Sequence, residues 1–152
     1  MAKFVYKMQN ILDIKYKLED NAKQAYADAL IELREQENKL EELHNRKALY
    51  YKAYQESIIG ALKFREIEED ANAMDIMDMM IEEQKQVVRD YSKKLEKRRQ
   101  ELNFAMQERK MHEKLREKQF DVFLDELSIQ ETKEIDEVVS FQYGDESRRV
   151  EG

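Results

Sequence analysis

The chain has no proline, no cysteine and no tryptophan, only two histidines, and three glycines among its 152 residues. Between Met1 and Tyr143 the single glycine is Gly60. Proline removes a backbone donor and clashes with the preceding turn, and glycine costs about 1 kcal/mol inside a helix. A chain almost free of both can run as very long helices. The absence of cysteine excludes disulfides, thiolate catalysis and Cys-ligated zinc, and is compatible with a reducing cytosol. His44 and His112 fall on different halves of the chain, and His112-Glu113 has no second nearby histidine to make a metal site. No Gly-rich phosphate loop exists. The longest uncharged run, Val138 to Gly144, is far short of a membrane span, and the opening Met1-Ala2-Lys3-Phe4-Val5-Tyr6-Lys7 lacks an apolar signal core. These absences predict a soluble cytoplasmic protein with no catalytic residues, no cofactor and no metal.

Charged residues make up 40% of the sequence and the apolar class 41%, with a formal net charge of −7 that gives no general case for nucleic acid. Regular apolar spacing separates this chain from a disordered one of similar charge. Abundant Glu, Lys, Leu, Arg and Ala with a 3.5-type period points to a coiled coil. In the first half the apolar series is Phe4, Met8, Ile11, then Leu18, Ala22 and Ala25, interrupted by Lys15. It re-phases through Tyr26, Ala29 and Leu30 to Leu33, an eleven-residue step from Ala22 that reads as a stutter. Heptad spacing resumes through Gln36, Leu40, Leu43, Lys47, Tyr50 and Tyr54. The second series runs Met74, Met77, Ile81, Gln84, Val88, Tyr91, Leu95, Arg98, Leu102, Ala105. It re-phases from Phe104 through Met111 and Leu115 to Val122, Phe123 and Leu127, a second stutter.

The predicted fold is all-α: a long antiparallel two-helix coiled coil over residues 1–140. Helix one spans about 4–58, a turn with Gly60 as candidate cap about 59–66, and helix two about 67–138, followed by a flexible tail over 141–152. Helices of roughly 55–60 residues would each be about 80–90 Å long.

Charge falls in blocks. Eight acids from Glu66 to Glu83 stand with no base among them, whereas Lys85 to Lys118 holds twelve bases against six acids. The plainer reading is a solvated face paired with acids of helix one such as Glu32, Glu35 and Glu41; the functional one is a basic stripe for an acidic partner. Met74 to Ile81 holds four of the eight methionines. Met74, Met77 and Ile81 suit the seam, while Ile76, Met79 and Met80 cannot all face one helix and leave apolar surface of the kind used for protein contacts.

Three stretches carry a resemblance to the flagellar FliJ family of type III export proteins. Phe4-Val5-Tyr6-Lys7-Met8-Gln9-Asn10-Ile11-Leu12-Asp13-Ile14-Lys15 resembles the family's opening, an aromatic and a Leu or Met before an aliphatic cluster. His112-Glu113-Lys114-Leu115-Arg116-Glu117-Lys118 is similar to its E-K-L-x-E/K-K stretch, and Gln130-Glu131-Thr132-Lys133-Glu134-Ile135-Asp136-Glu137 to its Q-K-x-x-D-E signature. The resemblance implies a non-enzymatic hairpin like the central stalk of rotary ATPases, peripheral at the inner face of the cytoplasmic membrane through its partners alone. It implies insertion into the export ATPase hexamer, promotion of that ring's assembly and activity, contact with the cytoplasmic linker of the export-gate membrane protein, and escort of export chaperones. The region corresponding to the family's gate contact holds Met74, Met77, Met80, Ile81 and Gln84, with the expected Tyr and Phe replaced by Asp70, Ala73 or Met74. The ring contact maps to Phe4, Met8, Ile11, Leu115, Lys118, Lys133, Asp136 and Glu137. Alternative readings are the stalk of a virulence-type secretion system and a homodimeric structural coiled coil with helices running straight through Gly60.

Overall fold

A computed structural model describes residues 3–59 and 64–151, with side chains described through 58 and from 64 to 144. The described residues form two helices, α1 (Gln9–Ile59) and α2 (Phe64–Glu151), in an all-α helical hairpin. Gly60, the expected turn cap, lies outside the described residues.

Three boundaries differ from the sequence reading. Helix α1 begins at Gln9, where a start near residue 4 was expected. The Gln9 N–H donates to the Tyr6 carbonyl at 3.1 Å, closing a turn before the first helical residue. Phe4 and Tyr6 both tuck inward. Residues two apart on a helix lie on nearly opposite faces, so an irregular segment is what allows both rings to turn in. Helix α2 begins at Phe64, inside the span expected to turn, and runs on past the expected end near residue 138 through 141–151, where a tail was expected. The described side chains from Ser128 to Gly144 are all exposed, so the weakening apolar spacing there marks the loss of a helical partner, while the backbone, lacking proline, stays helical. A Cβ added at Gly144 would meet nothing within 4 Å, so no close approach requires glycine there.

The chain divides into two compact units, one formed by Met1–Leu18 with Met106–Gly152 and the other by Glu19–Ala105. In the Glu19–Ala105 unit the helices pair antiparallel. Lys94 meets Glu32 at 2.8 Å, Lys47 meets Asp78 at 2.5 Å, and the Ser57 hydroxyl donates to Asp70 at 3.1 Å, so α2 numbers fall as α1 numbers rise. Its buried residues are Ala29, Leu33, Met77, Ile81 and Glu19. Full burial of each large aliphatic side chain is worth about 1.5–3 kcal/mol. Ala29, with Ala22 and Ala25 half-buried beside it, keeps the backbones close. In the same seam the Gln84 amide donates to both the carbonyl and the side-chain oxygen of Gln36, each at 2.9 Å.

In the unit formed by the two terminal segments the pairing is antiparallel as well. Arg116 donates to Gln9 at 3.1 Å, and the Tyr16 hydroxyl donates to Glu113. Leu12 and Tyr6 are buried there.

Neither expected stutter is present. On α1 the covered positions run Leu12, Lys15, Glu19, Ala22, Tyr26, Ala29, Leu33, Gln36, Leu40, Leu43 and Lys47 in steps of three and four, and Tyr50, next in the series, is exposed. Ile11 and Leu18, which carried the expected series, are exposed. On α2 the covered series expected through Ala105 is observed, and it continues to Arg109 and His112 while Phe104, Met111 and Leu115 stand exposed. A tracing that follows apolar residues leaves the true seam wherever a seam position is polar, as at Lys15, Glu19, Arg109 and His112.

Candidate functional site

The opening segment is held on α2 by aromatic contacts. The Phe4 ring meets Phe120 edge-on at 5.1 Å and Phe123 at 5.5 Å, with Phe120 and Phe123 6.4 Å apart. The Arg116 guanidinium lies 5.7 Å from the Phe4 centroid, a cation–π distance, while its Nε donates to Gln9. Tyr6 is buried beside this cluster with a hydroxyl that has no hydrogen-bond partner. An aromatic near the start of the sequence is therefore a clamp for the irregular segment as well as a candidate contact.

Two faces flank that clamp. On one, Val5, Tyr6, Lys7, Met8, Leu115 and Gln119 line a shallow, mainly apolar groove. Met8 and Leu115 are both about two-fifths exposed within it. Gln9, Leu12, Tyr16, Glu113, Arg116 and Glu117 line a second, polar groove. There the Glu113 carboxylate accepts from the Tyr16 hydroxyl and from Arg109, the latter at 3.1 Å. The hydrogen bond to Glu113 raises the Tyr16 hydroxyl above its ordinary pKa of 10.0, because ionisation would set a phenolate against a carboxylate. Nearby, Lys15 pairs with Glu108 at 3.4 Å, and His112 Nε2 lies 3.9 Å from the same carboxylate. His112 is largely covered, and its Nδ1 has no hydrogen-bond partner. It is a seam residue. His44 is exposed. Among the described residues no group of three or more His, Cys, Asp or Glu could hold a metal ion.

The residues mapped to a ring contact thus fall into three sets. Phe4 is in the aromatic clamp, Met8 and Leu115 share the apolar groove with Ile11 exposed nearby, and Lys133 and Asp136 share a surface on α2 with Ser128, Ile129 and Thr132. Lys118 and Glu137 are exposed. Val5, Phe120 and Phe123 belong with the first two sets; the sequence reading names Phe123 only as a seam position and gives Val5 and Phe120 no contact role. Their signal was available in the aromatic spacing of Phe120 and Phe123 opposite Phe4.

The methionine-rich stretch separates into a buried and an exposed part. Met77 and Ile81 are 5% and 4% exposed, and Met74 is half-buried, so these three form the seam. Gln84 is held by Gln36. Ile76, Met79 and Met80 are 57%, 66% and 39% exposed and supply the apolar surface of this stretch.

The basic block is solvated mainly through its own helix. Arg98 pairs with Glu101 at 2.9 Å, Arg99 with Glu96 at 2.5 Å and Lys85 with Glu82 at 3.1 Å. The Arg99 hydrogen bond holds the Glu96 carboxyl below its ordinary value. Lys94 reaches across to Glu32. Exposed pairs of this kind, screened by water and salt, add little to stability.

A family model described as "Flagellar FliJ protein" matches residues 4–148. No curated protein and no solved structure matches the chain. Among the described residues no helix is long and apolar enough to cross a membrane.

Proposed function

Because the chain belongs to the FliJ family, a family of flagellar export proteins, we propose that it is a non-enzymatic stalk of the flagellar type III export apparatus. It acts in the cytoplasm, peripheral at the membrane's inner face through its partners. The observation that carries this reading is a family match over residues 4–148 on a chain that folds as an all-α hairpin. A slender helix pair can occupy the hole of a ring. It would bias subunit interfaces through differential affinity for ring states, with no chemistry of its own.

In this reading the end of the hairpin that carries Phe4, Met8, Ile11, Leu115 and Lys118, with Lys133, Asp136 and Glu137 farther along α2, enters the export ATPase hexamer. The exposed groove shared by Val5, Met8 and Leu115 supplies apolar contact area for it. The contact with the gate protein's linker is assigned to Ile76, Met79 and Met80, whose flexible side chains are exposed, while Met77 and Ile81 hold the seam beneath them. Export chaperones are the remaining partners.

The test is direct. Low-micromolar full-length protein should raise the hydrolysis rate and the oligomerisation of the cognate export ATPase at low salt. No change in either quantity rejects the stalk role.

A further inference from the structure

Helix α2 continues well past the last residue that α1 and the opening segment cover. Phe123 and Leu127 are half-buried, and every described side chain from Ser128 to Gly144 is exposed. Extending the three-and-four seam spacing beyond Phe123 reaches Glu126, Gln130, Lys133 and Glu137, all polar. The seam therefore ends in chemistry as well as in space. Phe141 falls in the seam direction, about five turns after Phe123, and Ile129 on another face, while the remaining apolar residues of this segment group together. At about 100° per residue, Leu124, Ile135, Val138 and Val139 fall within an arc of roughly 100°, turned away from the seam positions, with half-buried Leu127 at the edge nearer the seam. Leu124, Ile135, Val138 and Val139 are all exposed, and Ile135, Val138 and Val139 line one shallow surface with Glu131 and Glu134. Three of the four exposed members are β-branched and weak helix formers, so intrinsic propensity is a poor reason for this stripe. An amphipathic face without an intrachain partner is what helix-in-groove recognition uses.

The charges on the segment select the occupant. From Asp121 to Gln142 there are seven carboxylates and one lysine, Lys133. Two copies joined along their stripes would set these acids against each other. An anionic membrane surface or a nucleic acid would repel them. Acids flanking an apolar stripe complement a cationic rim.

We propose that residues 124–142 of α2 form a docking helix for a partner protein that presents an apolar groove rimmed by Lys and Arg. Leu124, Ile135, Val138 and Val139 are the anchors, and the flanking carboxylates set the orientation. This surface lies on a different side of α2 from Lys133 and Glu137, and the inference goes beyond the stalk role and does not depend on it.

The test uses the full-length protein and a fluorescently labelled synthetic amphipathic helix built from Leu and Lys, with its Leu/Glu counterpart as control. The Leu/Lys peptide should bind, slow amide exchange over residues 124–142, and lose affinity as salt is raised. The double substitution Ile135→Ser/Val138→Ser should weaken binding at least tenfold, and Phe104→Ser, at an exposed ring outside the segment, should leave it unchanged. Ile135→Ala/Val138→Ala, which favours the helix while deleting the stripe, should weaken binding similarly and so separates lost contacts from lost helix. Equal binding of both peptides, or parental affinity in the two double variants, overturns the proposal. So does concentration-dependent self-association that the double variants abolish, because the occupant would then be a second copy. None of these readouts requires a flagellar protein, so failure here is distinct from failure of the ATPase assay.

Discussion

In the Glu19–Ala105 unit the buried seam is mostly small or aliphatic: Ala29, Leu33, Met77 and Ile81, with Glu19 as the charged exception. In the unit made by the terminal segments, the seam positions after Leu12 and Ala105 are Lys15, Arg109 and His112, and the cohesion comes from Phe4, Phe120 and Phe123 together with the Lys15–Glu108 ion pair and the Tyr16–Glu113 hydrogen bond. The same helix pair is thus held by two different kinds of interaction. Apolar burial is insensitive to salt and to moderate pH, whereas partly exposed ion pairs are weakened by both. Exposed cross-helix pairs occur in the Glu19–Ala105 unit too, at Lys94–Glu32 and Lys47–Asp78. The terminal unit, however, has fewer buried aliphatic seam residues beneath its ion pair, so a change of solvent or partner alters its tightness more.

The largest effect expected from breaking this contrast is in the aliphatic seam. Ile81→Ala should cost about 2–4 kcal/mol of unfolding free energy, read by denaturant titration with far-UV circular dichroism, because the cavity has few neighbours able to collapse into it. Phe4→Ala should cost about 2 kcal/mol through lost ring contacts. Its signature is accelerated amide exchange over residues 9–18 with exchange in the Glu19–Ala105 unit unchanged; uniform acceleration would show that the two units unfold together. His112→Leu should stabilise by about 1 kcal/mol, because it replaces a covered imidazole whose Nδ1 has no partner with an aliphatic side chain. A loss of stability instead would assign the imidazole a structural bond.

The smallest effect is at alkaline pH. The folded protein holds the Tyr16 proton more tightly than the unfolded chain does. Its contribution is complete below about pH 10 and is lost as pH rises through the higher folded value. Tyr16→Phe should flatten that alkaline limb of the stability profile and leave the profile below about pH 9 parallel to the parent.

How far the sequence reveals all this follows the same division. The covered positions from Met74 to Ala105 are readable one by one, because nearly every seam residue there is apolar or a familiar exception such as Gln84 or Arg98. Where Lys15, Glu19, Arg109 and His112 occupy the seam, periodicity read from hydrophobicity drifts onto Ile11, Leu18, Phe104 and Met111, and two stutters are inferred that the backbone does not have. The start of α1 was hidden for a related reason, since Phe4 and Met8 mimic a helical step although Phe4 belongs to an irregular segment. At the candidate sites, sequence could gather the methionines but could not divide them. Burial of Met77 and Ile81 depends on which face meets α1, and a one-residue change of phase would have exposed them in place of Ile76 and Met80.

The Gln36–Gln84 pair has a consequence for alignment. An aliphatic heptad seam tolerates sliding, because a shift of seven residues brings equivalent side chains opposite one another. Two amides facing each other across the seam tolerate none: any slip would move both beside aliphatic neighbours and strand their polar atoms. The pair therefore works as an index mark between the helices, fixing which residues of α1 can ever stand opposite the exposed methionine surface of α2.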